Sequence, residues 1–484
     1  MGKKGSRVAT TNRKTQRRPP LGGPTTWSKP RGADGCRRQA AALWGRPMFS
    51  SGLLQAVDDD DDDGEPLCSM QLNPNTVDLS QNHLTTVSRI SSLPIQTLNL
   101  SNCEIATFED ASFVYLTDLV TIDLSKNKIS TAAMSRRVFS GAITPGLGLL
   151  PFSKLRYMSL AYNDIHSLPQ DIFAFMPGLT TLDMSGNPLA FIDQVTMAAI
   201  TDLVNLRELY MTGCELESLP EGIFRRQRRL RRLDLSDNRF TTVPGVLNEA
   251  ANLLYLNFGK NPIQVLETEN PIKNLTKLQD LRLSRNSKLQ SIEAGALGGL
   301  PNLVTLHISY NPRLMTVDPD FLVFTDDHDV ETWPMLKEFY LNNNNISEVH
   351  SSYLHRWDQV VTLDFSNNPY VCDCKNQWAV DVLTPLLIKM EDASVDNMIC
   401  KKPLELRGVA FSQLHSSNKT LTCPESESFM ELPVSNLAII LGIMIGIFVT
   451  FPLVLIVVLL WRKGYFARCR NTKQEEDDEE TDAF

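Results

Sequence analysis

One short pattern recurs twelve times along this chain and restricts what it can fold into. The pattern is L-x-L-x-x-N/C-x-L, with other apolar residues allowed at the leucine positions. It reads VDLSQNHL at 77–84, LNLSNCEI at 98–105, IDLSKNKI at 122–129 and LDLSDNRF at 233–240. Its Asn-or-Cys positions are 82, 103, 127, 163, 187, 214, 238, 261, 286, 311, 344 and 368, a mean spacing of about 26 residues. The alternation in L-x-L is that of a short strand burying every second residue. The Asn amide offers donors and an acceptor to backbone groups where the chain turns away from the strand. Cys103 and Cys214 hold two of these positions, where a thiol donates weakly, so both are read as structural and not as redox residues. One such unit cannot bury its own apolar face, but stacked units share a continuous core. The expected fold is therefore an α/β solenoid of about twelve repeats over residues 66–370, with one parallel strand per repeat. Twelve strands about 4.8 Å apart give a concave arc on the order of 55 Å.

Two spacings are long. Residues 135–153 and 325–334 hold the excess, and both read as loops inserted on one face of the stack. The stack then meets Cys372-x-Cys374, followed by Cys400 and Cys423. Four cysteines in this arrangement fit either two disulfides or a zinc site. Residues 437–461 are twenty-five residues without a charge, long enough to cross a hydrocarbon core of about 30 Å. Arg462, Lys463, Arg468 and Arg470 follow this stretch, whereas Glu425, Glu427 and Glu431 precede it. The positive-inside bias then places the C-terminus in the cytoplasm and everything before residue 437 outside. Outside the cell, oxidation to disulfides is favoured over zinc.

The net charge of −9 argues against a nucleic-acid binder, but it averages unlike parts. Residues 1–57 hold twelve Lys/Arg and one Asp, residues 58–63 are six consecutive Asp, and the last fourteen residues hold seven acids and one Lys. Residues 1–65 are expected to be disordered, 425–436 to form a juxtamembrane linker and 462–484 a short cytoplasmic tail. No P-loop, HExxH, G-x-S-x-G or kinase motif set occurs, so an enzyme is not expected, nor a cofactor or a bound metal.

The repeats, the cysteine-flanked segment 368–424 and the apolar span together resemble extracellular leucine-rich repeat type I single-pass membrane proteins. This class includes Toll-like ectodomains and leucine-rich repeat adhesion receptors. The resemblance implies a horseshoe of repeats closed by a C-terminal cap, with Cys372 paired to Cys400 and Cys374 to Cys423. It implies a plasma-membrane protein whose ectodomain binds an extracellular protein ligand or co-receptor, in adhesion or reception. A pattern-recognition co-receptor for a glycan or lipid, or a matrix-organising structural protein, is the alternative. The chain departs from the class at its start. A cysteine-rich N-terminal cap is expected, but Cys68 alone stands directly before the first repeat, with Cys36 further upstream. Residues 1–57 lack the apolar core of a signal peptide, and the expectation is that they stand in place of a missing leader and cap.

Candidate contact residues come from departures along the outward column of the strands. Most positions there are Asp, Asn or Ser, whereas Tyr210, Arg282, His307 and Tyr340 differ, with Tyr157 and Tyr255 in the preceding column. Aromatic and Arg side chains are the usual interface anchors. The run Arg225, Arg226, Arg228, Arg229, Arg231 and Arg232, placed on the convex side, would attract an anionic glycan or an acidic patch. N-glycosylation sequons stand at Asn99, Asn274, Asn345 and Asn418. In the tail, Cys469 is a palmitoylation candidate, and the terminal Phe484 carboxylate suits a PDZ-type groove.

Overall fold

The structure is a computed structural model. It describes residues 71–423 apart from 74, 142, 145–147, 150, 326–327, 329, 355–359 and 391–392, and then residues 441–444 and 451–463. Cys36, Cys68, Cys469, the linker 425–436 and the C-terminal Phe484 lie outside the described residues. The described residues form two compact units. The first runs through 71–372 and 376–419 and holds the solenoid with most of its cap; the second comprises 373–375 and the described residues from 420 onward.

The twelve pattern copies form twelve parallel strands of one sheet, separated by eleven turns of chain. They are β2 (Thr76–Asp78), β3 (Thr97–Asn99), β4 (Thr121–Asp123), β5 (Tyr157–Ser159), β6 (Thr181–Asp183) and β7 (Glu208–Tyr210). The series continues as β8 (Arg232–Asp234), β9 (Tyr255–Asn257), β10 (Asp280–Arg282), β11 (Thr305–His307), β12 (Glu338–Tyr340) and β13 (Thr362–Asp364). Neighbouring strands pair residue for residue without a slip, so Leu182 lies beside Leu209 and Asp183 beside Tyr210. The middle residue of each strand is buried. The hydrophobic repeat fixes this register, because a one-residue slip would turn every leucine to solvent.

The Asn positions form a continuous ladder. Asn238 donates to the carbonyls of Met211 (2.8 Å) and Leu235 (2.9 Å), and its Oδ1 accepts from the amides of Cys214 and Leu216, both at 3.0 Å. Asn187 repeats the scheme two levels away, donating to Leu160 O (2.8 Å) and accepting from the Ile165 amide (3.1 Å). Cys103 and Cys214 sit in the ladder as expected, their thiols reaching Leu79 O (3.0 Å) and Met184 O (3.3 Å). Both are buried, and burial pushes the Cys214 thiol up to about 12, far from a reactive thiolate.

One backbone feature accompanies every rung. The residue before each Asn or Cys is left-handed, from Gln81 (φ 62°) and Tyr162 (φ 55°) through Gly186 (φ 69°) to Asn367 (φ 56°). The chain must reverse there within two residues of the strand, and the rung's hydrogen bonds hold a conformation that an isolated L-residue disfavours.

The convex side corrects the expected α/β class. Among the described residues its one α-helix of eight residues is Gln194–Thr201, N-capped by Asp193 accepting from the Thr196 amide at 2.6 Å. Elsewhere turns and short 3-10 segments return the chain, joined by a parallel pair of Thr86–Val87 with Thr107–Phe108 and by a three-strand ladder of Val265–Leu266, Ser291–Ile292 and Thr316–Val317. Repeats such as SLPEGIF spend their few convex residues on inward apolar contacts at short intervals, which leaves too little chain for a helix. The fold is a leucine-rich repeat β-solenoid. Its core includes paired rings, Phe240 stacked 5.3 Å from Phe258 and Phe339 edge-on 5.3 Å from Phe365.

The ends differ in how they are closed. At the start, β1 (Gln71–Asn73) pairs antiparallel with β2 and covers the sheet edge. At the other end, Tyr370 is fully buried and its hydroxyl donates to the Phe365 carbonyl. Trp378 donates to Val349 O at 2.7 Å, and Cys372 bonds Cys400. Helices Thr384–Lys389 and Phe411–Ser416 complete this cap. In the second unit Cys374 bonds Cys423.

The two insertions are antiparallel hairpins. One pairs Ile143–Thr144 with Gly148–Leu149, the other Phe324–Thr325 with Glu331–Thr332. The first insertion also feeds the core, because Phe139 stacks on Phe113 with ring centres 5.5 Å apart. Within the expected span 437–461, residues 437–440 and 445–450 lie outside the described residues. The described part contains the helix Phe451–Arg462, and no helix among the described residues is long and apolar enough to cross a membrane.

Candidate functional site

The outward column of the sheet divides along its length. Where it carries Asp or Asn, the side chain is occupied by the fold. Asp78, Asp123 and Asp183 each accept at 2.9 Å from the amide two residues on, as Asn99 does at 3.0 Å. Asp234, Asn257 and Asp364 do the same at 3.0, 3.1 and 3.0 Å. These are turn-closing bonds that need no ligand to explain them.

Tyr210, Arg282, His307 and Tyr340 take the same column position and cannot make that bond. At two of these rungs a serine from the preceding turn substitutes. Ser185 Oγ accepts from the Thr212 amide (3.4 Å), and Ser284 Oγ accepts from the Ser309 amide (3.1 Å). At Tyr210 and His307 the backbone has thus been served another way, and all four large side chains stand on the face without closing a turn.

They are held by neighbours on the same surface. The Tyr210 hydroxyl donates to Glu208 Oε2 at 3.0 Å, and burial together with that carboxylate pushes its phenol up to about 12. The Arg232 guanidinium lies 3.5 Å from the centre of the Tyr255 ring, and that of Arg282 lies 5.3 Å from the same ring. Arg282 is further fixed by a two-pronged contact to Asp280, with Nε and Nη2 both at 3.2 Å. The rings of His307 and Tyr340 stack with centres 4.3 Å apart and planes within 1° of parallel. Burial lowers the His307 pKa, assisted by the Arg282 charge, so the ring is neutral at pH 7. The result is a continuous, pre-ordered patch of aromatic and guanidinium groups across β7 to β12. Most of it is half-buried, with Tyr255 more deeply set.

Five of the six concave candidates therefore come together. Tyr157 does not: it lies on β5, separated from the patch by Thr181 of β6. The arginine run is also placed differently from expectation. Arg232 is the first residue of β8 and lies on the concave sheet under Tyr255, because the L-x-L frame at Leu233 and Leu235 includes it. Arg225 and Arg226 are paired with Glu249 (3.4 Å) and Asp202 (2.8 Å). Arg228 is exposed, and Arg229 and Arg231 converge with Arg207 around a surface cavity of about 310 Å³. Sequence reading missed Arg207, Glu208, Asp280 and Glu338. Register would have found them, since the three acids stand two residues before Tyr210, Arg282 and Tyr340 on the same face.

Among the sequons, Asn274, Asn345 and Asn418 are exposed, whereas Asn99 is half-buried in β3.

The family model and the sequence relatives agree with this architecture. The leucine rich repeat family model matches residues 153–216, 204–263 and 252–312. The chain is 30% identical over 331 residues to Podocan-like protein 1 of Homo sapiens, covering 58% of this chain and 64% of that one. It is 26% identical over 367 residues to the CD180 antigen of Mus musculus, covering 66% and 51%. A solved structure, the mouse RP105/MD-1 complex, matches with a TM-score of 0.49 at 20% identity, over 72% of this chain and 58% of that one. The chain spans less than two thirds of the length of these relatives. The chain thus carries leucine-rich repeats and is similar in sequence to Podocan-like protein 1 and the CD180 antigen.

Proposed function

We propose that this chain is a non-enzymatic cell-surface protein that recognises an extracellular protein ligand or co-receptor through the concave patch on β7 to β12. The observation that carries this reading is the loss of the turn-closing carboxylate or amide at Tyr210, Arg282, His307 and Tyr340. The fold gives up a turn-closing bond at each of these positions, whereas an interface gains anchors that are already ordered by stacking and ion pairing before a partner arrives. In this reading residues 437–461 anchor the chain in the plasma membrane with the solenoid outside, and the two disulfides suit that compartment. Glycans at the exposed Asn274, Asn345 and Asn418 fit the same location. In the tail, Cys469 would carry a palmitoyl group and Phe484 would meet a PDZ-type groove.

The test is a binding screen of the full chain, displayed on cells, against a library of extracellular domains. A partner whose binding falls at least tenfold in Arg282→Ala and in Tyr340→Ala supports the reading. A specific partner whose binding survives both substitutions places recognition elsewhere and overturns it.

A further inference from the structure

At the end of the sheet where the chain enters each strand, three guanidinium groups share one surface cavity. Arg207 stands immediately before β7 and Arg231 immediately before β8, and the Arg231 amide donates to Arg207 O at 2.8 Å, so the two are neighbours across the sheet. Arg229 is drawn into place by Asn205, with its Nη1 2.7 Å from Asn205 Oδ1. Arg231 is fixed by Nη1 donating to Asn252 O at 3.0 Å and to Leu230 O at 3.3 Å. Together Arg207, Arg229 and Arg231 line the cavity of about 310 Å³, and no carboxylate among the described residues lines it.

The nearby acids are engaged elsewhere. Asp202 pairs with Arg226, Glu249 with Arg225, and Glu208 accepts from the Tyr210 hydroxyl. Arg207 is exposed and has no side-chain partner among the described residues. The cationic row then continues along the same edge. Asn252, whose carbonyl holds Arg231, accepts from Lys277 Nζ at 2.6 Å through its side chain. Cations thus stand before β7, β8 and β10, with Asn252 bridging at β9.

Like charges gathered around one space repel one another, and the arrangement becomes favourable once an anion occupies that space. Guanidinium forks match the oxygens of a tetrahedral oxyanion in a two-pronged geometry. A single small anion would use the three arginines and leave Lys277 unused. A linear polymer carrying oxyanions at intervals would use the whole row. We infer that Arg207, Arg229 and Arg231 form a cradle for a sulfate group of a sulfated glycan chain, with Lys277 extending the track along the sheet edge. This site is separate from the concave patch and does not depend on the protein-binding reading.

The experiment measures binding of the purified full chain to immobilised heparin, with chemically desulfated heparin, inorganic phosphate and poly-glutamate as competitors. Arg207→Ala/Arg229→Ala should weaken binding at least tenfold and lower the salt concentration that elutes the chain. Arg225→Ala/Arg226→Ala, which removes two cations already paired with carboxylates, should change it less than twofold. Arg207→Ala alone tests the cradle at a position whose side chain holds no part of the fold, and it should weaken binding about threefold or more. Desulfated heparin and inorganic phosphate should fail to compete at concentrations where heparin does. Equal losses in the two double variants, unchanged binding in Arg207→Ala, or no retention of the parent chain would overturn the inference. Competition by poly-glutamate as strong as by heparin would also overturn it, in favour of an acidic protein partner.

Discussion

The two halves of the concave face use the same backbone for different ends. On β2 to β6 the outward column is Asp78, Asn99, Asp123, Ser159 and Asp183, and all five side chains close turns. On β7 to β12 Asp234 and Asn257 still close turns, whereas the other four strands carry Tyr210, Arg282, His307 and Tyr340, none of which does, and at Tyr210 and His307 a serine of the preceding turn closes the turn instead. Strand register and the left-handed residue before each rung are the same in both halves, and the Asn ladder runs through both, although the Asn311 amide nitrogen of the patch half makes no hydrogen bond among the described residues. The solenoid thus separates framework from recognition: every repeat repeats the first, and a subset gives up one local bond to present a large side chain.

The strongest way to break this comparison is to attack what the halves share. Asn187→Ala and Asn238→Ala should each cost about 3–5 kcal/mol, because each leaves several buried backbone groups without partners. The denaturation midpoint of each variant reads the loss. Equal losses are expected although one residue serves the turn-closing half and the other the patch. A loss confined to one half would mean the framework is not shared.

The cap comes next in size. Replacing Cys372 and Cys400 together by serine should cost about 3 kcal/mol, since the bond closes a loop of 28 residues. The loss should appear in thermal unfolding and leave binding at the patch unchanged at temperatures where the variant is folded. Impaired binding in the folded variant would tie the patch to the cap.

A sharper contrast lies within the outward column. Asp183→Ala removes an acceptor for the Ser185 amide and should cost about 1–2 kcal/mol while leaving partner binding intact. Arg282→Asn does the opposite. It supplies an acceptor that can reach the Ser284 amide, as Asn257 reaches Gly259, and should raise stability by about 0.5–1 kcal/mol. It should also weaken partner binding at least tenfold. If Arg282→Asn destabilises the chain, the arginine is part of the framework and the division of the face is wrong.

Most of the framework was legible from sequence because one residue type does one job at one position. L-x-L gives the strand and its buried side, and the Asn or Cys gives the rung. The left-handed residue before the rung was not legible, since Gln81, Lys126, Tyr162, Asp237 and Arg285 share no side-chain property. The hydrogen bonds around them impose the conformation, and local propensity does not. The convex side was misjudged because apolar spacing alone does not separate a short helix from turns that bury the same residues. The patch was legible as departures from a column, but its inner wiring was not. Asp280, Glu208 and Glu338 look like ordinary solvated acids until register places each beside the Arg or Tyr it holds. Arg232 was misassigned because a run of six arginines was read as one feature, whereas the strand frame begins inside it. Arg207 was overlooked for the converse reason: a lone arginine becomes part of a cluster when repeats 24 residues apart are laid side by side.

The smallest expected effect is a pH response confined to the patch. His307 is neutral on the face because burial and the Arg282 charge disfavour its protonated form. Its folded pKa therefore lies below the ordinary imidazole value of about 6.5, and the unfolded chain takes up the proton first. Stability from this residue is fully present above that ordinary value and is lost as pH falls from there toward the folded pKa. His307→Phe keeps an aromatic ring against Tyr340 but cannot titrate, so it should lose less stability than the parent chain between pH 7.5 and pH 5.5. The other histidines are common to both chains and cancel in the difference. No counterpart exists on β2 to β6, where the outward column carries Asp78, Asn99, Asp123, Ser159 and Asp183 and no histidine. An identical pH response in parent and variant would show that the His307 ring is exposed to water in solution, and the ordered stack with Tyr340 would then no longer support the patch.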